Sequence, residues 1–393
     1  MKLLQLLISK WLKLCQLATA YVVTPVILGL TKPVRSLRAR RYGAKGNPPV
    51  SILLSFFGRG LGDCLYFSGL LKTIRFHYPE AKIRLACLKQ MENYFLGNLY
   101  IDELIPCPDY EPQGDNFRQF LGSALQVRKK MGSVDLLLNL CPTLALAPAI
   151  WDSFIPKKYS IGIGDSLKQV FYDEFVPINW GKHFYEAMLD GLKPLPLKPQ
   201  PPLFWIPENN EMGGLVPPEL FSKKMVIIAP GGKRNVEAPK EYCWIFEGFP
   251  QVIEGLVSRG YPVILAGADY DRAMIEKIKP HALLFDLIGK TTIPQIFKIV
   301  QQYAGLVVCN NSGLLHIASV LNIPTVSYAD PEENMLRWGP YPNSDKHVIF
   351  QDQANRKVNG EEFLEAVFEK LGEGKKQTAT ENSPAYPPPS ARL

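Results

Sequence analysis

Short apolar runs alternate with amphipathic stretches along the chain from residue 50 onward. In the first half the apolar runs predict strands at residues 50–56, 82–88, 103–106, 134–140 and 159–163. Apolar positions at helical spacing predict helices at residues 63–77, 117–131, 143–151 and 183–192. Continuous apolar strands separated by helices are typical of a parallel sheet that is covered on both faces.

The pattern breaks at residues 193–218, KPLPLKPQPPLFWIPENNEMGGLVPP, where repeated prolines remove backbone donors and predict a linker. The alternation then restarts, with predicted strands at residues 225–229, 262–266, 283–287, 305–309 and 325–328. The helices predicted in this half cover residues 242–259, 272–278, 293–303, 314–321 and 361–371. The fold class is therefore α/β, with two doubly wound, Rossmann-like domains facing a cleft.

We divide the chain into an N-terminal segment (1–48), a first α/β domain (49–195), a proline-rich linker (196–222), a second α/β domain (223–372) and a tail (373–393). The tail is polar and rich in proline, so we expect it to be disordered. Open parallel sheets bind ligands at the carboxyl ends of their strands. Two such sheets face to face suggest that two ligands are brought together.

Charge is concentrated at one end of the chain. The net charge is +7, but residues 1–48 contain nine lysines and arginines and no acid, so the rest of the chain sums to −2. The body therefore gives no electrostatic reason to expect nucleic acid. The seven cysteines are scattered and form no CxxC pair, which argues for a reducing compartment and against a zinc site or a disulfide framework.

The N-terminal segment favours membrane association. No charged residue occurs from Leu14 to Thr31, which is about the minimum length that spans a bilayer, and a basic cluster follows at residues 32–41. A cleaved signal peptide fits poorly, because the apolar stretch is long and basic charge follows it. The segment either lies in the interface or spans once, and both alternatives hold the body at the cytoplasmic face of the membrane through residues 1–41. An ordinary helix packed on the body is the remaining interpretation.

The first strand leads into a glycine-rich turn, FGRGLGDC, at residues 57–64. Gly58, Gly60 and Gly62 read G-x-G-x-G rather than G-x-G-x-x-G, and the second strand is followed by Lys89 rather than an acid. Both features disfavour a nicotinamide- or flavin-dependent oxidoreductase. Asp63 begins the predicted helix, where an aspartate serves either as a cap or as a general base. Its place at the carboxyl end of the first strand favours the functional role.

Two loops of the second domain suit a diphosphate. In the first, Gly231 and Gly232 expose backbone N–H groups and Lys233 and Arg234 add charge, although a solvated basic turn has the same composition. The second is VVCNNSGLLHIASV, residues 307–320, in which Asn310, Asn311, Ser312 and Gly313 precede a helix whose first turn holds His316. A helix start is an anion site, yet a plain cap and a structural histidine remain the alternatives.

One acidic pattern in the sequence resembles a metal-binding motif. Asp269 and Asp271 form a D-x-D, but they follow a glycine and open a helix, so capping explains them better than a metal site.

Six segments together resemble the ADP-heptose:lipopolysaccharide heptosyltransferases, glycosyltransferase family 9. In chain order they are GRGLGDCLYFSGLLKTIRFHYPEAKI, VDLLLNL, KKYSIGIG, KHFYEAMLDGL, VIIAPGG and LIGKTTIPQIFKIVQQYAGLVVCNNSGLLHIASVLNIPTV. The similarity runs from about residue 50 to 345. It implies a GT-B fold, inverting transfer without a required metal or cofactor, an ADP-heptose-like donor in the second domain and a glycolipid acceptor at the Gly60–Gly62 turn of the first. Asp63 matches the family's base, and Ser312, Gly313 and His316 match its donor-phosphate loop.

The chain departs from the family pattern at two places. Asn311 stands where the family has aspartate, and Val236, Ala238 and Pro239 occupy the usual lysine–x–tryptophan–proline motif. Lys233 or Arg234 would have to replace the missing cation.

The sequence therefore predicts an inverting glycosyltransferase that uses a nucleotide-activated donor and a glycolipid acceptor. The alternative is a catalytically degenerate family member that binds a nucleotide sugar or a glycan.

Overall fold

The computed structural model describes residues 48–110, 116–143, 145–208, 214–216, 224–231, 246–274, 276, 278–330 and 334–373. The predicted membrane segment, the tail, Gly232, Lys233 and Arg234 lie outside these residues. Within the described residues no helix is both long and apolar enough to cross a bilayer.

The first sheet has six parallel strands in the order β3-β2-β1-β4-β5-β6. Its strands are β1 Ser51–Phe56, β2 Lys82–Leu88, β3 Glu103–Cys107, β4 Val134–Asn139, β5 Lys157–Gly164 and β6 Glu174–Pro177. Its helices are α1 Leu61–His77, α2 Glu92–Phe95, α3 Asn116–Met131, α4 Ala147–Ser153 and α5 Phe184–Asp190, with 3-10 helices at Lys89–Met91 and Ser166–Phe171.

The second sheet repeats this topology in the order β12-β11-β10-β7-β8-β9, again parallel throughout. Its strands are β7 Met225–Ala229, β8 Val263–Leu265, β9 Leu284–Asp286, β10 Ala304–Asn310, β11 Thr325–Ala329 and β12 His347–Gln351. Its helices are α6 Phe249–Ser258, α7 Ile293–Tyr303, α8 Gly313–Val320, α9 Met335–Trp338 and α10 Gly360–Lys370, with a 3-10 helix at Asp269–Met274. The predicted α/β class with two doubly wound sheets is confirmed.

Most central elements lie where the periodicity predicts them, and the differences have local causes. α1 begins at Leu61, two residues earlier than predicted, which places Asp63 in its first turn. Residues 246–248 are not helical; α6 begins at Phe249 after Gly248, with Pro250 in the first turn, where a proline needs no N–H partner. The helix predicted at residues 272–278 is wrong, because the chain there forms the short 3-10 helix at Asp269–Met274.

The seam between the two domains is packed. One apolar cluster contains side chains of both sheets, including Ile52 and Leu70 of the first domain and Ile227 and Leu315 of the second. Across this seam α1 contacts α8, and α2 contacts α7. The carboxyl ends of the two central strand pairs therefore have a defined position relative to each other.

The described part of the linker is held against the first domain. The Trp205 N–H donates to Ser68 Oγ (2.8 Å), and the Trp205 carbonyl accepts from the Tyr94 hydroxyl (2.8 Å). Phe204 packs on the rings of Tyr66 and Tyr185. This stretch of the linker is therefore packed against the first domain along α1.

Candidate active site

The candidate site lies where the carboxyl ends of β1, β7 and β10 lead into turns. In each sheet the strand order reverses direction here, between β1 and β4 and between β7 and β10. Doubly wound sheets bind their ligands at this switch point. Most of the residues that the sequence nominates, from Gly60 to Asp63 and from Asn311 to His316, lie at these turns.

Asp63 caps the start of α1. Gly60 is the N-cap residue, and the Asp63 carboxylate accepts a hydrogen bond from the Gly60 N–H (Oδ2 to N, 3.1 Å). The capping role that the sequence allowed for Asp63 is therefore present, and the side chain is half-buried. A cap bond to one carboxylate oxygen is compatible with a role as a base, so the second role stays a prediction.

Two glycines allow α1 and α8 to approach each other end to end. A Cβ atom on Gly62 would lie 2.2 Å from Cδ2 of His316, and one on Gly313 would lie 3.2 Å from Cβ of Leu61. The first distance is far inside van der Waals contact, so only glycine fits at position 62 with His316 in this place. The start of α8 and the turn that carries Asp63 consequently touch.

His316 is fixed by a tyrosine of α1. The Tyr66 hydroxyl lies 2.9 Å from His316 Nδ1 and 3.3 Å from the Gly339 carbonyl oxygen, and the two rings are in edge contact. Burial, and to a lesser extent the nearby His183, lowers the pKa of His316 to about 3. The imidazole is therefore neutral at physiological pH, which differs from the cationic phosphate partner that a histidine in this loop first suggests.

His183, at the start of α5, belongs to the same cluster. Its Nδ1 accepts from the Tyr185 N–H (3.1 Å), so the proton resides on Nε2, which lies 3.2 Å from the Gly339 carbonyl oxygen. Burial is the main cause that lowers its pKa to about 4, so this histidine is neutral as well. The Gly339 carbonyl of the second domain thus meets two side chains of the first.

Asn310 braces the loop that follows β7. Its Nδ2 donates to the carbonyl oxygens of Pro230 (2.9 Å) and Gly231 (3.2 Å), and its Oδ1 accepts from the Phe246 N–H (3.3 Å). The side chain is buried, and these bonds connect the ends of β7 and β10. The position of Gly231 is therefore set by an amide whose contacts the sequence did not show.

Asp271 occupies the other side of this loop. Its carboxylate accepts from the Ala268 N–H (2.9 Å), and a Cβ on Gly231 would lie 2.0 Å from its Oδ1. Burial raises the pKa of Asp271, opposed by the Ala268 hydrogen bond. The D-x-D aspartate thus closes a 3-10 turn, and the described residues contain no cluster of three histidines, cysteines or acids that could hold a metal ion.

Asn311 and Ser312 connect β10 to α8. The Asn311 N–H extends the strand by donating to the Tyr328 carbonyl (2.8 Å), and its Nδ2 lies 3.9 Å from the Met335 sulfur. Its Oδ1 is buried and has no hydrogen-bond partner. Ser312 is the N-cap residue of α8, but its side chain makes no capping bond. Polar groups at this helix start are thus available to a ligand.

Two residues of the site escaped the sequence analysis, namely Tyr66 and His183, whereas Asn310 was placed in its loop but without its contacts. Tyr66 lies three positions after Asp63, on the same side of a helix, and this spacing is the one signal in the sequence that could have identified it. Nothing local marks His183, because its partners lie far away along the chain. Asn310 reads as one more polar residue of the loop until its three bonds are seen.

Comparison with known proteins shows which family the chain resembles. Residues 190–367 match the model of glycosyltransferase family 9 (heptosyltransferase). Lipopolysaccharide heptosyltransferase 3 of Escherichia coli K12 is 24% identical over 302 residues, which cover 71% of this chain and 82% of that protein. The chain is therefore similar to the heptosyltransferases of glycosyltransferase family 9, as the sequence predicted.

Solved structures of this family share the fold. The family 9 protein of Veillonella parvula has a TM-score of 0.68 at 18% identity, over 82% of this chain and 97% of that one. Heptosyltransferase II of E. coli has a TM-score of 0.61 at 18% identity, over 82% and 98% of the respective chains. The predicted GT-B architecture is confirmed.

The close approach at Gly62 makes a testable prediction for stability. Gly62→Ala places a methyl group inside the His316 ring, which Tyr66 holds, so we expect the free energy of unfolding to fall by about 1–3 kcal/mol. Gly122→Ala is the matched control, because its added Cβ meets nothing within 4 Å in α3. The control should gain up to about 1 kcal/mol from helix propensity. Urea unfolding of both variants gives the comparison, and equal stability of Gly62→Ala and the parent would refute the steric argument.

Proposed function

We propose that this chain transfers a heptose-like sugar, with inversion at the anomeric carbon, from a nucleotide-diphosphate donor to lipopolysaccharide or another glycolipid acceptor. The observation that carries the proposal is the contact between the starts of α1 and α8 through Gly62 and His316, which brings Asp63 beside the donor-side helix. Related proteins support the chemistry: heptosyltransferase WaaC of E. coli, whose TM-score is 0.58, has been solved with ADP and with ADP-2-deoxy-2-fluoro heptose.

In the proposed reaction Asp63 is the general base. An acceptor hydroxyl gives its proton to the Asp63 carboxylate while its oxygen bonds to the anomeric carbon. The bond from that carbon to the phosphate oxygen breaks on the opposite face, and the nucleoside diphosphate leaves with the electron pair. Gly60 is exposed and has no side chain, so an acceptor can approach the turn closely there, whereas the space beside Gly62 is taken by the His316 ring.

The leaving diphosphate would be held by the second domain. Gly231, Gly232, Lys233 and Arg234 supply backbone donors and charge, as expected from their sequence, and the free N–H groups at the start of α8 near Ser312 and Gly313 add to the site. Asn311 Oδ1, which has no partner in the structure, would accept a hydrogen bond from the donor.

His316 would contribute a hydrogen bond rather than charge. The Tyr66 hydroxyl has one proton and two acceptors within reach, His316 Nδ1 (2.9 Å) and the Gly339 carbonyl oxygen (3.3 Å). In the proposed complex Tyr66 donates to Nδ1, so the imidazole proton is on Nε2, where it would be donated to a phosphate oxygen.

We further propose that residues 1–41 hold the enzyme at the inner face of the cytoplasmic membrane, where a glycolipid acceptor is presented. The five basic residues at 32–41 favour anionic lipid, at about 1 kcal/mol for each lysine or arginine near the surface.

The base assignment is tested with Asp63→Asn. The amide keeps the cap bond from Gly60 but takes no proton, so we expect an unchanged unfolding temperature and a rate of sugar transfer about 10²–10⁴-fold lower. Asp165→Asn is the control. Asp165 is likewise a capping aspartate of the first domain, at the start of the 3-10 helix Ser166–Phe171, and the variant should remain active. Transfer to a truncated lipopolysaccharide acceptor is followed by mass spectrometry, and near-normal turnover of Asp63→Asn would rule out this role.

The donor is tested with a panel of ADP-, GDP-, UDP- and dTDP-linked sugars. We expect the ADP-linked heptose to raise the unfolding temperature most, to be consumed when acceptor is present, and to be used equally well after treatment with EDTA. Binding at 100 times the dissociation constant stabilises the folded state by about 2.7 kcal/mol, which a thermal shift resolves. Loss of transfer in EDTA would contradict metal independence. Binding with neither transfer nor hydrolysis would favour the non-catalytic alternative.

The membrane proposal is tested by sedimentation with lipid vesicles. The full chain should bind vesicles containing anionic phosphatidylglycerol, whereas a chain lacking residues 1–41 should stay in the supernatant. An alkaline carbonate wash releases an interfacial helix but not a spanning one, which separates the two alternatives for residues 14–31. Equal binding of the shortened chain would place membrane attachment elsewhere.

A further inference from the structure

Arg337, in the short helix α9, is a buried cation whose hydrogen-bonding groups are unused. Its side chain is 2% exposed, and Nε, Nη1 and Nη2 all lack a hydrogen-bond partner. Burial lowers the pKa of Arg337, and no carboxylate among the described residues is paired with it. An arginine nevertheless stays protonated inside proteins, so a full positive charge with five N–H donors is enclosed here.

The aromatic rings around the Arg337 guanidinium come from both domains. The guanidinium carbon lies 4.1 Å from the ring centre of Trp180, 5.0 Å from that of Trp338 and 5.9 Å from that of Phe184. Trp180 and Phe184 belong to the first domain, so the arginine sits at the seam. Trp180 is itself 47% exposed, so one face of the aromatic surround of Arg337 is provided by a ring that reaches solvent.

The ring contacts do not compensate for the burial. Cation–π contacts contribute up to about 2 kcal/mol, but they leave the N–H donors without acceptors. Removing an unpaired cation from water costs several kcal/mol. Five other arginines of the described residues have a carboxylate partner, namely Arg75, Arg84, Arg259, Arg272 and Arg356. A guanidinium this well enclosed and left unpaired indicates a place for an anion that binds from outside.

Arg337 also lies next to the candidate active site. Met335, at the start of the same short helix, contacts the Asn311 side chain of the donor-side loop. Gly339, two residues after Arg337, is the carbonyl that Tyr66 and His183 approach. The charge of Arg337 is close enough to contribute to the lowered pKa of His183. An anion held here would therefore belong to a molecule lying in the cleft.

We propose that Arg337 binds a phosphate or carboxylate group of one of the two substrates at the seam between the domains. The proposal rests on the function proposed above for the cleft, since it assigns this anion to a donor or acceptor. The guanidinium offers paired N–H groups to the oxygens of such an anion, and Trp180 and Trp338 cover its faces. Because those rings lie on different domains, the anion would bind best when the domains are together.

The test compares the thermal stability of the full chain and Arg337→Met over a titration of inorganic phosphate. Methionine fills the volume between the rings without the charge. We expect Arg337→Met to be at least as stable as the parent without phosphate, since an unpaired buried cation is gone. Its apparent phosphate affinity should be at least tenfold weaker. An arginine that serves only as a ring-stacked clamp gives the opposite result, namely lower stability with an unchanged phosphate response, and that result would overturn the proposal.

Two further variants guard the interpretation. Arg259→Met is the matched control, because Arg259 also stacks on an aromatic ring, Phe368 at 3.7 Å, but is exposed and paired with Glu373. It should keep the full phosphate response. Arg337→Lys retains the charge and should bind phosphate more weakly than the parent, so it gives the answer even if Arg337→Met does not fold. A lysine variant with unchanged affinity would remove the argument for paired N–H donors.

The source of the anion is identified with two other probes, ADP and a soluble sugar monophosphate. Selective loss of ADP binding in Arg337→Met assigns the anion to the donor, and selective loss of sugar-phosphate binding assigns it to the acceptor. Failure of the parent chain to respond to phosphate, ADP or the sugar phosphate would refute the anion site. These measurements need no sugar transfer, so they remain decisive if the proposed reaction itself proves wrong.

Discussion

The contact of α1 with α8 is the constraint on which the rest of the cleft depends. Gly62 has no side chain, so the His316 ring can lie where a methyl group would otherwise be, and Gly313 gives Leu61 the reciprocal opening. Any larger residue at position 62 would move one helix start away from the other. The distance between the first-domain turn and the donor-side loop is therefore set by packing, and the Tyr66–His316 hydrogen bond is a consequence of it.

Neutral histidines give this cleft an unusual distribution of charge. His183 and His316 lie together with Tyr66 beneath the Gly339 carbonyl, and burial keeps both pKa values far below physiological pH. Their contribution to binding an anion is a directed N–H group at most. Positive charge in the described part of the seam comes from Arg337, which is held by rings instead of carboxylates. The cluster of His183, His316 and Tyr66 therefore contributes directed hydrogen bonds, and Arg337 contributes the positive charge.

The sequence predicted the fold better than it predicted the contacts across the seam. Buried central strands such as β1 and β7 appear as continuous apolar runs, and their bounds agree with the structure to within a residue. The edge strands β6 and β12 were missed, because they are only partly buried and lack a long apolar run. The tyrosine–histidine pair joins residues 250 positions apart, and no local pattern encodes that distance. The sequence shows the glycine turns, but it does not show which side chain occupies the space beside each glycine.

The same reasoning bears on the departure at position 311. The Asn311 Oδ1 is buried without a donor and its Nδ2 lies 3.9 Å from the Met335 sulfur, so a carboxylate at this position would be desolvated with no hydrogen-bond donor among the described residues. The neutral amide therefore suits the groups that this chain provides, even though the related enzymes have an acid there by the resemblance noted above. The exchange also removes one negative charge from the loop that packs against α9. With Arg337 unpaired two residues beyond Met335, this edge of the cleft retains an uncompensated positive charge, which favours substrates that carry their own negative groups.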